Sequence, residues 1–87
     1  MRKRIKQVQP RFGAEKAFGL VVREIRKEMK LSQEEFAWKS RLDRTTVSML
    51  ERGLMSPTLR TMVKLSTALH LAASALVSRA ERSSLFK

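Results

Sequence analysis

Between positions 31 and 53 the chain is punctuated so closely that only short helices fit. Ser32 stands three residues before Glu35, the reciprocal pattern in which a serine hydroxyl accepts an orphan backbone N–H at a helix start and the glutamate reaches back to another. That pair predicts a helix beginning near Gln33. Leu42-Asp43 interrupts it, and Asp43 is a good N-cap for a second helix. Val47 and Leu50 give this second helix an apolar inner edge, and Gly53 suits the left-handed conformation that ends a helix. Two short helices joined by a tight turn follow.

The flanking sequence supplies the elements on which such a pair can pack. From about Ala14 to Met29, the residues Phe18, Val21, Val22, Ile25 and Met29 recur at helical spacing with charged residues between them, which predicts one amphipathic helix. Ser56-Pro57-Thr58 is another start signal: either hydroxyl can cap, and proline at a first helical position loses no needed N–H. Leu59, Met62, Leu65 and Leu69 then mark the inner face of a fourth helix. A last helix is expected from about Ala73 to Arg82, apolar at Ala73, Leu76, Val77 and Ala80. No strand-like alternation and no internal repeat interrupts this pattern. The expected fold is all-α and compact, with five helices. Its domain spans 12–82, preceded by a flexible basic arm over 1–11 and followed by a tail over 83–87.

With 87 residues and no cysteine, the chain makes one small domain without disulfides or thiolate metal sites, so apolar packing, alone or with oligomerisation, must stabilise it. No signal-peptide core and no twenty-residue apolar run is present, which predicts a cytoplasmic protein. The formal charge of +11 favours polyanionic partners: DNA, RNA or an anionic membrane surface. Residues 1–30 hold ten Lys/Arg and three Glu, a net +7, against nine Lys/Arg and five acids, a net +4, over 31–87. The N-terminal third is thus the expected nonspecific anchor. His70 stands alone, the serines and threonines have no nucleophile-elbow or triad setting, and no glycine-rich phosphate loop exists, so neither an enzyme nor a metal or cofactor site is expected.

Leu31-Ser32-Gln33-Glu34-Glu35-Phe36-Ala37 followed by Leu42-Asp43-Arg44-Thr45-Thr46-Val47-Ser48-Met49-Leu50-Glu51-Arg52-Gly53 resembles the helix-turn-helix regulators of the phage repressor and Cro type, also called the xenobiotic-response-element family. The resemblance covers about Phe18 to Leu76. It implies a lambda-repressor-like domain that binds double-stranded DNA and regulates transcription. Ala37 fits the small residue that close approach of the second and third helices requires, and Val47, ten positions on, the branched apolar one. Plotted at about 100° per residue, Arg44, Thr45, Ser48 and Met49 lie opposite Val47 and Leu50. By resemblance these four occupy the base-touching positions: Arg44 suits guanine O6 and N7, Thr45 and Ser48 donate or accept, and Met49 offers apolar contact to a thymine methyl. Phosphate contacts are expected from Gln33, Thr46, Arg52, Thr58 and Arg60. For Gln33 and Thr58, simple helix-start chemistry is an equal alternative. The family pattern also pairs an arginine late in helix 1 with a glutamate near the end of helix 3, here Arg26 and Glu51. Arg41 and His70 depart from it, standing where the family usually has glycine.

Several features admit two readings. Arg2, Lys3, Arg4 and Lys6 of the arm either contact DNA or form a solvated tail. Trp38 stands on the outer face of the second helix where the family usually has a polar residue; it either leans on a neighbouring side chain or marks a protein contact. Leu76, Val77, Leu85 and Phe86 exceed what the core needs and are expected to bury against a second copy. A two-fold dimer would hold its two reading helices about 34 Å apart, over a pseudo-palindromic operator. The sequence therefore predicts a dimeric repressor. The alternative is an antitoxin that binds DNA and grips a partner protein through Trp38 or the tail. A basic membrane-surface peptide fits capped helices and inward stripes poorly, so no membrane partner is expected.

Overall fold

The computed structural model describes residues 13–83, which form α1 (Gly13–Glu28), α2 (Gln33–Ser40), α3 (Arg44–Glu51), α4 (Leu59–Leu69) and α5 (Ala73–Glu81), with no strand among them. The arm residues Arg2, Lys3, Arg4 and Lys6, and Leu85 and Phe86 of the tail, lie outside the described residues. α1 is the spine: it packs against α3, α4 and α5, while α2 sits on α3 and α4. α4 and α5 meet at a bend of 98°. The centre is filled by Val22, Phe36, Val47, Leu50, Leu65 and Leu76, all fully buried. All five helices contribute to one core, as a chain this small requires. No single helix among the described residues is long and apolar enough to cross a membrane.

The helix starts follow from local chemistry. The Ser32 hydroxyl accepts from the Glu35 N–H at 3.0 Å, and the Glu35 carboxylate accepts from the Ser32 N–H at 2.8 Å, closing the expected box. Asp43 accepts from the Thr46 N–H at 2.7 Å to start α3. Thr58 accepts from the Thr61 N–H at 3.1 Å to start α4. Pro57 therefore precedes the cap and is not the first helical residue, because the hydroxyl that captures an orphan donor lies after it.

The ends of α1, α2, α3 and α4 share one geometry. In each, a left-handed residue donates its N–H three residues back, and the following leucine donates five residues back, the double closure that satisfies terminal carbonyls. The left-handed residues are Lys30, Arg41, Gly53 and His70, with φ of 61°, 60°, 73° and 59°. The leucines are Leu31, Leu42, Leu54 and Leu71, bonded to the carbonyls of Arg26, Ala37, Met49 and Ser66. Leu31, Leu42 and Leu71 pack against the core, whereas Leu54 is 53% exposed.

Two assignments made from apolar spacing change. Leu76 is fully buried within the single chain, so it offers no surface to a second copy. α5 lies along α1 and against α4, and its Leu76–Ala80 edge is consumed there. Leu59, expected to face inward, is 70% exposed. The buried stripe of α4 runs through Leu65, Ala68 and Leu69, and at about 100° per residue Leu59 points well away from its centre.

Candidate nucleic-acid interface

α3 is fastened at its C-terminal end. Glu51 is buried, and its carboxylate takes Arg26 Nε at 2.6 Å on Oε2 and Arg26 Nη2 at 3.0 Å on Oε1. Arg26 Nη1 donates to the Leu31 carbonyl at 2.7 Å, so one guanidinium joins α1, the α1–α2 turn and α3. Gln33 Nε2 adds a hydrogen bond to Glu51 Oε1 at 3.0 Å from the first residue of α2. A forked, nearly parallel pair of charge-assisted bonds fixes orientation as well as distance. The reading helix thus cannot swing without breaking contacts to both neighbours.

Backbone approach tightens the same joint. A Cβ on Gly19 of α1 would run into the Leu50 carbonyl oxygen and meet the Glu51 carbonyl oxygen at 2.9 Å. Only glycine lets α1 cross α3 at this depth. A Cβ on Gly53 would meet Lys16 Cα at 2.7 Å. Neither approach was legible from spacing alone; an isolated glycine inside the α1 pattern was the one available sign of the first.

Against this joint, α3 presents an outward polar edge. Arg44 and Thr45 are exposed, and Ser48 and Met49 are half-buried, with Met49 outside the apolar core. Val47 and Leu50 on the opposite side are fully buried. The four residues expected to read bases share one face, although Ser48 is partly occupied: Arg52 Nη1 approaches its hydroxyl at 3.5 Å.

The expected phosphate contacts divide. Arg52 and Arg60 are exposed cations beyond the end of α3 and in the first turn of α4. Gln33 already donates to Glu51, Thr46 is half-buried at the Asp43 cap, and Thr58 caps α4 while sharing a 3.0 Å hydroxyl contact with Thr61. Structural duties therefore fall on three of the five. A crevice beside α2 is walled by Arg23, Arg26, Gln33, Glu51 and Arg52. Arg23, exposed and one turn before Arg26, adds a cation there that the sequence pattern did not single out.

Two exposed carboxylates at helix starts have lowered pKa values. Glu35 lies below 4.5, first because the Ser32 backbone N–H bonds it, then through the Ser32 side chain, with Lys39 helping less. Asp43 lies below 3.8 because Thr46 bonds it, through its side chain first and its backbone second. Both are therefore charged at neutral pH and complement the positive end of their helices. Among the described residues no group of three or more His, Cys, Asp or Glu could hold a metal ion.

A helix-turn-helix family model matches residues 22–76, which contain Arg26, Gln33, Glu51 and all of α2, α3 and α4. The crystal structure of the restriction-modification controller protein C.AhdI from Aeromonas hydrophila is similar at 41% identity, covering 70% of this chain and 92% of that one, with a TM-score of 0.68. The wild-type restriction-modification controller protein C.Esp1396I is similar at 26% identity, covering 79% and 90%, with a TM-score of 0.71. The clp gene regulator ClgR from C. glutamicum shares the fold at 24% identity, covering 87% of this chain and 95% of that one, with a TM-score of 0.73. No curated protein matches the chain in sequence. A deeply docked α3 with a polar outer edge, inside a matched segment of this extent, leaves one conclusion: the chain belongs to the helix-turn-helix family of the repressor and Cro type and is a DNA-binding transcriptional regulator.

Proposed function

We propose that the protein is a sequence-specific repressor acting as a homodimer on a pseudo-palindromic operator, with α3 in the major groove. The observation that carries this reading is the fastening of α3 by Arg26, Glu51 and Gln33 while Arg44 and Thr45 stand clear of the protein. A rigid helix with a free hydrogen-bonding edge suits readout of base edges, which needs donors and acceptors held in register. In this reading Arg44, Thr45, Ser48 and Met49 touch bases. Arg52, Arg60 and the starts of α2 and α4 at Gln33 and Thr58 touch phosphates, with Thr46 beside them. Arg2, Lys3, Arg4 and Lys6 add contacts that do not depend on sequence. The 41% identity to a restriction-modification controller supports gene control of that kind.

Selection of bound sequences from a random duplex pool tests the proposal. The expected result is an enriched, two-fold symmetric motif with half-sites one helical turn apart. Arg44→Ala should relax preference at one base position and weaken binding by about 1–3 kcal/mol, whereas Arg4→Ala should weaken all duplexes alike. No enrichment, or equal losses for both variants on every duplex, overturns it. A second reading, an antitoxin that also holds a partner protein, is favoured by Trp38, which is 82% exposed on α2. Co-purification of a stoichiometric partner lost in Trp38→Ser would establish it.

A further inference from the structure

The stripe of α1 that meets the end of α3 runs through Lys16, Gly19, Arg23 and Arg26, four positions within an arc of about 80° on an α-helix. The Lys16 backbone lies beside Gly53, Gly19 lies against the Leu50 and Glu51 carbonyls, and Arg26 holds the Glu51 carboxylate. Arg23 stands between these contacts and takes part in none of them. It is exposed and makes no hydrogen bond or ion pair. It walls the crevice shared with Arg26, Gln33, Glu51 and Arg52, where three arginines face one glutamate, a net +2. Both oxygens of that glutamate are already taken by Arg26, and one of them by Gln33 as well.

We propose that Arg23 and Arg52 clasp one phosphate of bound DNA between them at this crevice, which makes Arg23 of α1 a DNA contact. The inference rests on the duplex-bound reading above and adds a residue of α1 to it. Like charges one helical turn apart, as at Arg23 and Arg26, are unfavourable on their own, and an anion beside them offsets that cost. Guanidinium forks match phosphate oxygens in geometry as well as charge. With Arg26 and the Gln33 amide committed to Glu51, Arg23 and Arg52 are the exposed donors of the crevice.

Position selects the DNA backbone as the source of that phosphate. Arg44, Ser48 and Arg52 follow one another at intervals of four, and Arg52 keeps a right-handed helical backbone at the cap, so it ends the stripe that carries the reading edge. Its Nη1 lies 3.5 Å from the Ser48 hydroxyl. The crevice therefore opens at the foot of the reading edge. A duplex whose bases meet Arg44 and Ser48 brings a backbone strand there, and a phosphate contact at that point fixes register without reading sequence. Arg79 is the contrasting cation: equally exposed, it sits on α5, which packs on α1 and α4.

Binding of the full chain to its selected duplex, measured against salt, tests the contact. Arg23→Gln should weaken every duplex alike, by about fivefold or more near 0.1 M salt, and lower the slope of log K against log salt by about one. The enriched motif and the melting temperature should not change. Arg79→Gln removes the same charge and should leave the slope as it is. Single neutral methylphosphonates along each strand then locate the phosphate: at one position per half-site, the loss seen with the wild type should shrink in both Arg23→Gln and Arg52→Gln. An unchanged slope in Arg23→Gln, an equal drop in Arg79→Gln, or no methylphosphonate position shared by Arg23 and Arg52 overturns the proposal. So does an Arg23→Gln variant that binds duplexes like the parent yet loses a thermal shift by inorganic phosphate, which would assign the crevice to a free anion. A wild type that selects its motif while Arg23→Gln keeps the slope removes this contact alone, and a wild type without sequence preference removes the reading beneath it and the contact together.

Discussion

The two ends of α3 are held in different ways. At its start, Asp43 and Arg41 are exposed, and the turn from α2 is secured by one side-chain cap and two backbone bonds. At its end, Glu51 and Gly53 are buried, α1 presses on the backbone of both, and Arg26 and Gln33 converge on one carboxylate. The start is local chemistry that any solvated helix can use. The end adds tertiary bonds from α1 and α2 to the packing of Val47 and Leu50, and these tie the angle of the reading edge to both neighbours. Stability and orientation are thus concentrated at the end of α3, and the start is left free to approach a duplex.

Removing the buried charge pair is the severest way to break this asymmetry. Glu51→Ala leaves the Arg26 guanidinium without its carboxylate inside the protein, and the expected loss is about 3–5 kcal/mol in denaturant unfolding. A loss below about 1 kcal/mol, the value of an exposed pair, would mean the joint at the end is no stronger than the cap at the start. Gly53→Ala comes next. The added Cβ meets Lys16 Cα at 2.7 Å and the position has a φ of 73°, so strain and overlap together should cost about 3 kcal/mol. An alanine tolerated there would show that α1 can back away from α3.

How far these contacts were legible in the sequence follows the same division. Ser32, Glu35, Asp43 and Thr58 announced their helices because a cap needs only residues within one turn of itself. The left-handed ends at Arg41 and His70 were marked by departure from the family's glycine, while Lys30 carried no sign, since lysine has no turn preference to betray it. Gly19 stayed hidden because its necessity depends on how deeply α1 crosses α3, a relation between residues about thirty positions apart. Leu76 and Leu59 exchanged roles for different reasons. Leu59 lies off the α4 stripe of Leu65, Ala68 and Leu69 by helical phase, whereas the burial of Leu76 depends on α5 lying along α1, a neighbour that periodicity cannot name. The polar outer edge of α3 was readable because Val47 and Leu50 fix the opposite side.

Arg41 gives the converse of the glycine experiment. Its φ of 60° strains a residue with a side chain, yet nothing presses on it, for the side chain is exposed. Arg41→Gly should therefore stabilise the fold by up to about 1 kcal/mol, the reverse of the change at Gly53. Because Arg41 is also a surface cation next to the start of α3, the same substitution measured by duplex binding separates a turn residue from a phosphate contact. Higher stability with unchanged affinity assigns it to the turn alone.

The smallest expected effect is acid sensitivity at the caps that start α2 and α3. Asp43 and Glu35 have folded pKa values held below their ordinary 3.8 and 4.5 by hydrogen bonds that exist only in the native caps. A depressed folded value means the unfolded chain binds protons first, so these carboxylates stabilise the fold fully above their ordinary values. That contribution fades as pH falls below about 4 and is gone once the folded groups protonate. Thermal midpoints followed from neutral pH downward should fall through this window, and Asp43→Asn, which keeps a capping oxygen but cannot titrate, should flatten the fall by a few degrees at most. Full persistence of the acid drop in a variant carrying both Asp43→Asn and Glu35→Gln would place the acid-sensitive groups elsewhere. The start of α3 would then matter even less to stability than its exposed cap suggests, and the contrast with its buried end would widen.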